Sequence, residues 1–506
     1  MSQIRKNSIK ATTWIYTGFL IGAVNTYFLT HRSWFSTDEN GLTRAMLEIG
    51  LLVSAFSTLG VTAVINKFFP YYKDNAENRQ NDLLAMALII SLTGFLVCAS
   101  GIFAMEGLIV KKFGTNSKLL VEYFYWVLPL GFFMMLYGIL ESYSYGFHKG
   151  VTATLLKETV IRLYTTIIIL LKIFDQINFR QFIILFSLQY ALIAITLIIL
   201  LAKDKQLWLS FRLSRVTRKF SKKILAMLAF TFLVIIVNVL RSSIDGLVLA
   251  AKQNLTKVGI FGLAAYMVSV LQAPFRSIVA VTIPLLSRAW KDKNYPEIQR
   301  IYQRSSINLL SFSLFVFFLI WLNYDHAIEF FNINPVYMEG RWVFFILGIV
   351  TIIEMGTGVN GQIIGTSTYW RFELWTSLLL TALIIPLSYT LTVRYGIFGP
   401  AFANLISFSV YNLIRYIFLL KRFNMQPFTG KTIEILIIAG LSYTITYYMF
   451  CKAGHLASLL GASVVYSILF GSLMIWRKIS PDVEPVITSA ASRLGIRLRK
   501  EPPANS

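Results

Sequence analysis

Charge is scarce in this sequence: Asp, Glu, Lys and Arg make up 14% of its 506 residues, against roughly 25% in an ordinary soluble protein. Beside a hydrophobic content of 56%, that deficit excludes a soluble globular chain. Apolar runs follow one another, many near the roughly 20 residues that a helix needs to cross a hydrocarbon core of about 30 Å. The polar stretches between them are too short to hold a soluble domain. Cysteine is nearly absent: Cys98 and Cys451 both sit in apolar runs. This excludes a disulfide framework or a zinc site and leaves both as small buried hydrophobes. No metal and no cofactor is expected. A cleavage site is also lacking. "MSQIRKNSIK" has the charge order of a signal peptide, but the apolar run behind it continues through Phe28 with no small-residue cleavage motif, so it reads as a retained first helix.

Apolar runs bounded by charges place helices at about 9–29, 43–66, 83–107, 119–143, 153–173, 181–202, 224–250, 257–287, 305–323, 341–364, 372–392, 398–420, 432–451 and 457–476. The fold class is an all-α polytopic membrane protein of about fourteen transmembrane helices, with both termini on one side. Of the 47 Lys and Arg, 31 fall in segments on the side of the termini, 12 in the opposite loops and four inside helices. Basic residues are retained in cytoplasmic loops, so both termini are predicted cytoplasmic. The same asymmetry accounts for most of the net charge of +23, which removes the need for a nucleic-acid partner. The run "RLSRVTRKFSKK", Arg212 to Lys223, reads plainly as a topological anchor, with contact to anionic headgroups as the alternative. Aromatic clusters "KFFPYY" (67–72), "EYFYW" (122–126) and "TYWRF" (368–372) mark span edges, where such rings favour the headgroup level.

The chain also carries a faint internal repeat. Lys6, Ser8, Lys10 and Asn25 align with Lys219, Ser221, Lys223 and Asn238 at an offset of 213. At 213 or 214, Pro70 ending the second helix matches Pro284 ending the eighth, and Glu141 in the fourth matches Glu354 in the tenth. Six helices separate each pair, which predicts two parallel six-helix lobes. The expected organisation is a lobe and linker over 1–223, a second lobe over 224–431, an extra helix pair over 432–476 and a cytoplasmic tail over 477–506.

Four stretches together resemble the oligosaccharide-lipid flippases of O-antigen, capsule and other surface-polysaccharide assembly, within the multidrug/oligosaccharidyl-lipid/polysaccharide (MOP) exporter superfamily. They are "STDENGLTRAMLEIGLLVSAFSTLGV" leading to "FFPYY", "SSIDGLVLA" followed by "VGIFGLAAYM", "IPLLSRAWKD", and "YGIFGPAFANLISF". Their order and spacing carry the likeness, because small and apolar residues are not diagnostic singly. The resemblance implies a MATE-like, V-shaped pair of lobes around a central cavity that opens alternately to either side. It also implies a bacterial inner-membrane location and a lipid-linked oligosaccharide as cargo, with membrane lipids, a polysaccharide polymerase or glycosyltransferases as partners. Related multidrug exporters often carry an Asp in helix 1 for cation coupling, but here no acid lies between Ile9 and Thr30. The Arg-Asp pair early in helix 1 of the peptidoglycan-precursor flippases is missing as well.

An undecaprenyl-diphosphate cargo needs fixed positive charge, which Arg supplies with a fork that binds phosphate oxygens bidentately. The four arginines inside helices are Arg162, Arg241, Arg276 and Arg415. Arg162 follows Glu158 by four residues and Arg241 precedes Asp245 by four, so each has an acid on its own helix face. Arg415 lies close enough to the cytoplasmic end to snorkel. Arg276 has no acid within a turn and follows Pro274, which kinks or breaks the helix. Arg276 is therefore the first candidate for the diphosphate, ahead of Arg241 and Arg162; for each of the four, the alternative is a structural bond between helices. Arg44 and Glu48 lie one turn apart at the outer end of helix 2, and Arg241 and Asp245 approach the same side in helix 7. This suggests either an ion-pair gate across the lobes or two pairs satisfied within their own helices. Glu141 and Glu354 are candidates for proton or ion coupling, or for capping short turns.

Two rivals remain. A small-molecule or multidrug exporter of the same superfamily is disfavoured only by the missing helix-1 acid and the Arg-biased interior. A membrane-embedded polymerase or ligase would be expected to fold a large loop over its active site. The longest outer loops, about 30–42 with His31 and Arg32 and 324–340 with Asp325, His326 and Glu329, are too short for a domain and show no nucleophile or acid–base set. A scaffold would need no embedded charge. No catalytic residue is assigned, and the chain is read as a transporter and not an enzyme.

Overall fold

The computed structural model describes residues 3–75, 81–451, 454–480 and 482. Residues 483–506, most of the expected tail, lie outside the described residues, as do the side chains of Lys6 and Ser8 in the aligned repeat. Only helices form among the described residues, with no β-strand. The longer helices are α1 (Gln3–Thr30), α2 in two parts (Thr37–Thr58 and Val61–Asn75), α3 (Leu83–Ala104) and α4 (Phe124–Tyr145). Next come α5 (Gly150–Leu155, a π turn at Leu156–Val160, and Ile161–Ile173), α6 (Phe179–Lys203) and α7 (Arg215–Lys252). The second half holds α8 in two parts (Leu255–Leu271 and Ala273–Lys291), α9 (Tyr295–Phe330), α10 (Pro335–Gly356), α11 (Trp370–Tyr395), α12 (Phe398–Phe423), α13 (Gly430–Phe450) and α14 (His455–Trp476). Ten of them are individually long and apolar enough to cross a membrane, and twelve when each bent pair counts as one span. The all-helical polytopic architecture is as expected from the sequence.

Several boundaries differ from the sequence reading, for local chemical reasons. Helix α2 begins six residues earlier than expected because Ser36 and Glu39 form a capping box: Ser36 Oγ accepts from the Glu39 amide at 3.1 Å, and Glu39 Oε2 accepts from the Ser36 amide at 2.8 Å. Helix α7 starts at Arg215, so most of the basic anchor is its first turns, capped by the Ser214 hydroxyl. Helix α9 runs on to Phe330, which places Asp325, His326 and Glu329 on a helix and not in a loop.

The two bends fall at equivalent points. Helix α2 turns by 47° where Leu59 and Gly60 both take positive φ, 46° and 81°. Gly60 tolerates that conformation for lack of a Cβ. Helix α8 turns by 43° at Gln272, just before Pro274, whose ring cannot accept a continuous helix ahead of it. The breaks at 59–60 and 272 are separated by the repeat's own offset. Pro70 and Pro284, expected to end their helices, instead lie inside them.

The chain divides into two compact units: Met1–Gly262 with Thr392–Ile397, and Leu263–Leu391 with Phe398–Ser506. In unit 1 a core of Ile65, Phe69, Leu84, Tyr143, Leu197 and their neighbours joins α2, α3, α4 and α6. Helix α7 packs along both parts of α2. The start of α8 approaches α2 backbone to backbone: a Cβ on Gly41 would overlap Leu255, and one on Gly259 would lie 3.1 Å from the Thr37 carbonyl. Small residues permit this close packing in lipid, where no hydrophobic drive holds helices together. In unit 2, α13 and α14 pack onto α9 through Leu314, Ile438, Tyr466 and Phe470.

Candidate functional sites

In unit 1, Arg44 and Glu48 of α2 face α7 and the start of α8. Two glycines make room for them. A Cβ on Gly246 would overlap the Glu48 carboxylate, and one on Gly262 would lie 2.6 Å from Arg44 Nε. Glu48 is half-buried and lies within electrostatic reach of both Asp245 and Arg44. Arg241 behaves differently from expectation. It has no ion pair or hydrogen bond among the described residues, although Asp245 stands four positions on. An i,i+4 pair is worth only about 0.2–0.5 kcal/mol, less than the packing that sets Asp245 against α2. The four charges do not form two pairs within helices; Arg44, Glu48 and Asp245 form one group between α2 and α7.

Arg162 pairs with Glu158 at 3.2 Å, as its spacing predicted. The pair straddles the end of the π turn in α5 and packs against Gly18 of α1, where a Cβ would lie 2.9 Å from Arg162 Nη1. Buried Asn25 donates to the Arg162 carbonyl at 2.9 Å and accepts from Thr166 at 2.7 Å. Its repeat partner Asn238 is exposed and bonds only its own helix, to the Val234 carbonyl. Glu141 caps no turn: Tyr145 donates to it at 2.9 Å and Lys157 pairs with it at 3.0 Å, which ties α4 to the π turn of α5.

In unit 2, Arg276 sits in the first turn after the α8 break. It is exposed, with no ion-pair partner among the described residues. Gln272, at the break itself, donates to Thr351 at 3.4 Å and to Glu354 at 3.5 Å. Arg415 overturns its expected role, because it does not snorkel. It is 3% exposed, ion-paired with Glu373 of α11, donates from Nε to Thr376 at 3.0 Å, and lies 3.9 Å from the Tyr411 ring centroid. Beside it, Asn412 accepts from Thr357 at 2.9 Å and from Asn360 at 3.0 Å. Glu373 was missed in the sequence, although a lone acid opening an apolar run is a signal of a buried partner. At the far end of α9, Asp325 pairs with Arg341, and His455 of α14 pairs with Glu329 at 2.7 Å. No group of three or more His, Cys, Asp or Glu among the described residues is arranged to hold a metal.

The four arginines inside spans therefore divide in two. Arg162 and Arg415 are engaged by carboxylates, whereas Arg241 and Arg276 have no carboxylate partner among the described residues. Such groups are costly in a membrane and mark cavities or partners.

These features define a polytopic, all-helical membrane protein with broken second and eighth helices and basic groups held within its spans. The fold is that of the MurJ and MATE structures. The structure of the lipid II flippase MurJ in an inward closed conformation matches with a TM-score of 0.74 at 15% identity, covering 93% of this chain and 100% of that one. An inward-facing MATE multidrug resistance transporter of the MOP superfamily matches at 0.59 with 13% identity over 80% of this chain and 94% of that one. The MATE multidrug transporter DinF-BH, captured in a ligand complex, matches at 0.56 with 18% identity over 83% and 95%. No protein-family model and no curated protein matches the sequence.

Proposed function

We propose that this chain is a MOP-superfamily transporter that flips an undecaprenyl-diphosphate-linked oligosaccharide from the cytoplasmic to the outer leaflet by alternating access, for surface-polysaccharide synthesis. The observation that carries the reading is the extent of likeness. The lipid II flippase is matched over its whole length and 93% of this chain, against 80–83% for the MATE transporters. The arginines support an anionic cargo: Arg276 and Arg241 are the two span arginines without a carboxylate partner among the described residues, and they are assigned to the diphosphate, with Arg162 behind them. Arg44, Glu48 and Asp245 act as a latch between α2 and α7. Glu141 and Glu354 are assigned to ion coupling if any gradient is used. Both termini are placed in the cytoplasm of a bacterial cell, with the polymerase and glycosyltransferases as functional neighbours.

The test is to delete the gene and locate the lipid-linked oligosaccharide. Accumulation on the cytoplasmic leaflet supports flipping. Accumulation outside as unpolymerised units points to a polymerase and sinks the proposal. Normal polysaccharide with heightened drug sensitivity favours the second reading, an exporter, which the likeness to multidrug transporters keeps open.

A further inference from the structure

Unit 2 holds a second basic site, at the opposite end of the second part of α8 from Arg276. The ends of α8 and α12, the start of α9 and the turn before α11 enclose an open basin of about 960 Å³. Its wall carries Lys291, Lys293, Lys421 and Arg422 and no acid. The nearest carboxylate in sequence, Asp292, pairs with Arg288 at 3.7 Å. Two helix C-termini end here, and last-turn cations ordinarily offset the roughly half negative charge of each such end. Two half charges neutralise about one of the four cations, so a surplus of about three remains.

The basin is built, not just decorated. Trp290 donates to the Ile363 carbonyl at 3.1 Å and packs on Phe423 at 4.9 Å between centroids. Arg422 Nε donates to the Tyr369 hydroxyl at 2.8 Å, with the guanidinium 5.2 Å from that ring. Lys293 and Asn424 take left-handed φ of 52° and 54° at the ends of the two helices. Lys421 and Arg422 also form the rim of a second groove, about 440 Å³, whose floor is Phe372, Ile414, Ile417 and Phe418. A basic, aromatic-walled basin thus continues into an apolar channel along α12.

That juxtaposition of charge and apolar groove points to a bound anionic glycerophospholipid of the surrounding bilayer, its phosphodiester in the basin and an acyl chain along Phe372 and Phe418. A free phosphate would use the cations and leave the groove empty, whereas a phosphate-headed lipid satisfies both. Trp and Tyr at this level match the headgroup zone, and basic residues there attract anionic lipid. The site stands whether or not the cargo is a lipid-linked sugar, since its occupant belongs to the bilayer.

The test is native mass spectrometry of the full-length protein, delipidated and titrated with phosphatidylglycerol, phosphatidylcholine, glycerol phosphate or undecaprenyl diphosphate. Phosphatidylglycerol is expected to be retained over phosphatidylcholine. K421Q/R422Q should weaken that retention by about twenty-fivefold, at about fivefold per cation near an anionic surface. K111Q/K112Q, an equal charge loss in unit 1, should leave it unchanged. If K421Q/R422Q does not fold, K291Q/K293Q on the opposite wall reads the same prediction. Equal retention of the two phospholipids, equal loss in K111Q/K112Q, glycerol phosphate binding as tightly as the lipid, or displacement only by undecaprenyl diphosphate would each overturn the assignment.

Discussion

Gly246 of α7 lies against the Glu48 carboxylate of α2, so closely that any Cβ at that position would overlap it. The glycine is what allows a carboxylate to occupy the contact between two spanning helices. Gly246→Ala should therefore push the Glu48 carboxylate, the far end of a flexible side chain, out of this contact, at a cost near the low end of the roughly 1–3 kcal/mol typical of overpacking. Glu48→Ala combined with Gly246→Ala should recover most of the loss, because the clashing atoms are gone. Thermal unfolding in detergent checks both variants. A G246A protein as stable as wild type would show that the contact is not tight.

Glu48 lies within electrostatic reach of both Asp245 and Arg44 between α2 and α7. If this group is a latch that opens during transport, Glu48→Gln with Asp245→Asn should alter labelling of cysteines placed along α2 and α7, and Arg241→Ala should not. Labelling that is identical in wild type and the double variant would remove the latch.

Glu373 and Arg415 form a pair whose cationic member is almost wholly buried. Removing one partner of such a pair typically costs about 3–5 kcal/mol, while replacing both with apolar side chains is often neutral. Glu373→Leu and Arg415→Met should each lower the unfolding temperature sharply, and the double variant should restore it. Additive losses in the double variant would mean that the two side chains act independently.

That pair also shows where the sequence was readable and where it was not. The spans were legible because lipid forces every backbone polar group into helices and leaves long apolar runs. Glu373 and Arg415 lie at comparable distances either side of the turn at 396–397, so an antiparallel α11–α12 hairpin brings them level, and the pairing was there to be found. Ser36 and Glu39 likewise announced the start of α2, hidden by reading polar residues as loop. The room that Gly246 and Gly262 give to Glu48 and Arg44 was not legible, because it depends on how closely α7 and α8 approach α2. Nor was the separation of Arg241 from Asp245: spacing places two side chains on one face, but a neighbouring helix decides where each one turns.

Arg276 and Arg241 lack carboxylate partners among the described residues, unlike Arg162 and Arg415. Hydrogen bonds to charged groups contribute about 1.5–3 kcal/mol, so losing a diphosphate contact should slow flipping by roughly ten- to a hundredfold. Arg276→Ala is expected to show that loss in proteoliposomes loaded with fluorescent lipid-linked oligosaccharide, with Arg276→Lys intermediate because a point charge replaces the fork. Arg241→Ala should follow. Wild-type rates in both alanine variants would move the phosphate site elsewhere.

Asp82 holds the start of α7 in place from across unit 1. It is 3% exposed, and its Oδ2 accepts from the Ser214 amide at 3.0 Å and the Thr217 hydroxyl at 2.7 Å, with Tyr72 bonded to the same hydroxyl at 2.7 Å. The segment leading there is tied down as well: Lys149 pairs with Asp204, Tyr143 donates to the Gln206 carbonyl at 3.1 Å, and Trp208 packs on Phe147 at 5.0 Å. Asp82 is thus an anchor for the basic stretch Arg212 to Lys223, with its negative charge at the positive end of α7. Asp82→Ala leaves the Ser214 amide and Thr217 hydroxyl without an acceptor, a loss of about 1–3 kcal/mol, and frees that stretch to fray. Its six Lys and Arg residues then become trypsin sites, and limited digestion should cut the chain there faster than in wild type. Asp82→Asn keeps an acceptor oxygen and should be cut at an intermediate rate. Equal cutting of wild type and D82A would show that other contacts hold the segment.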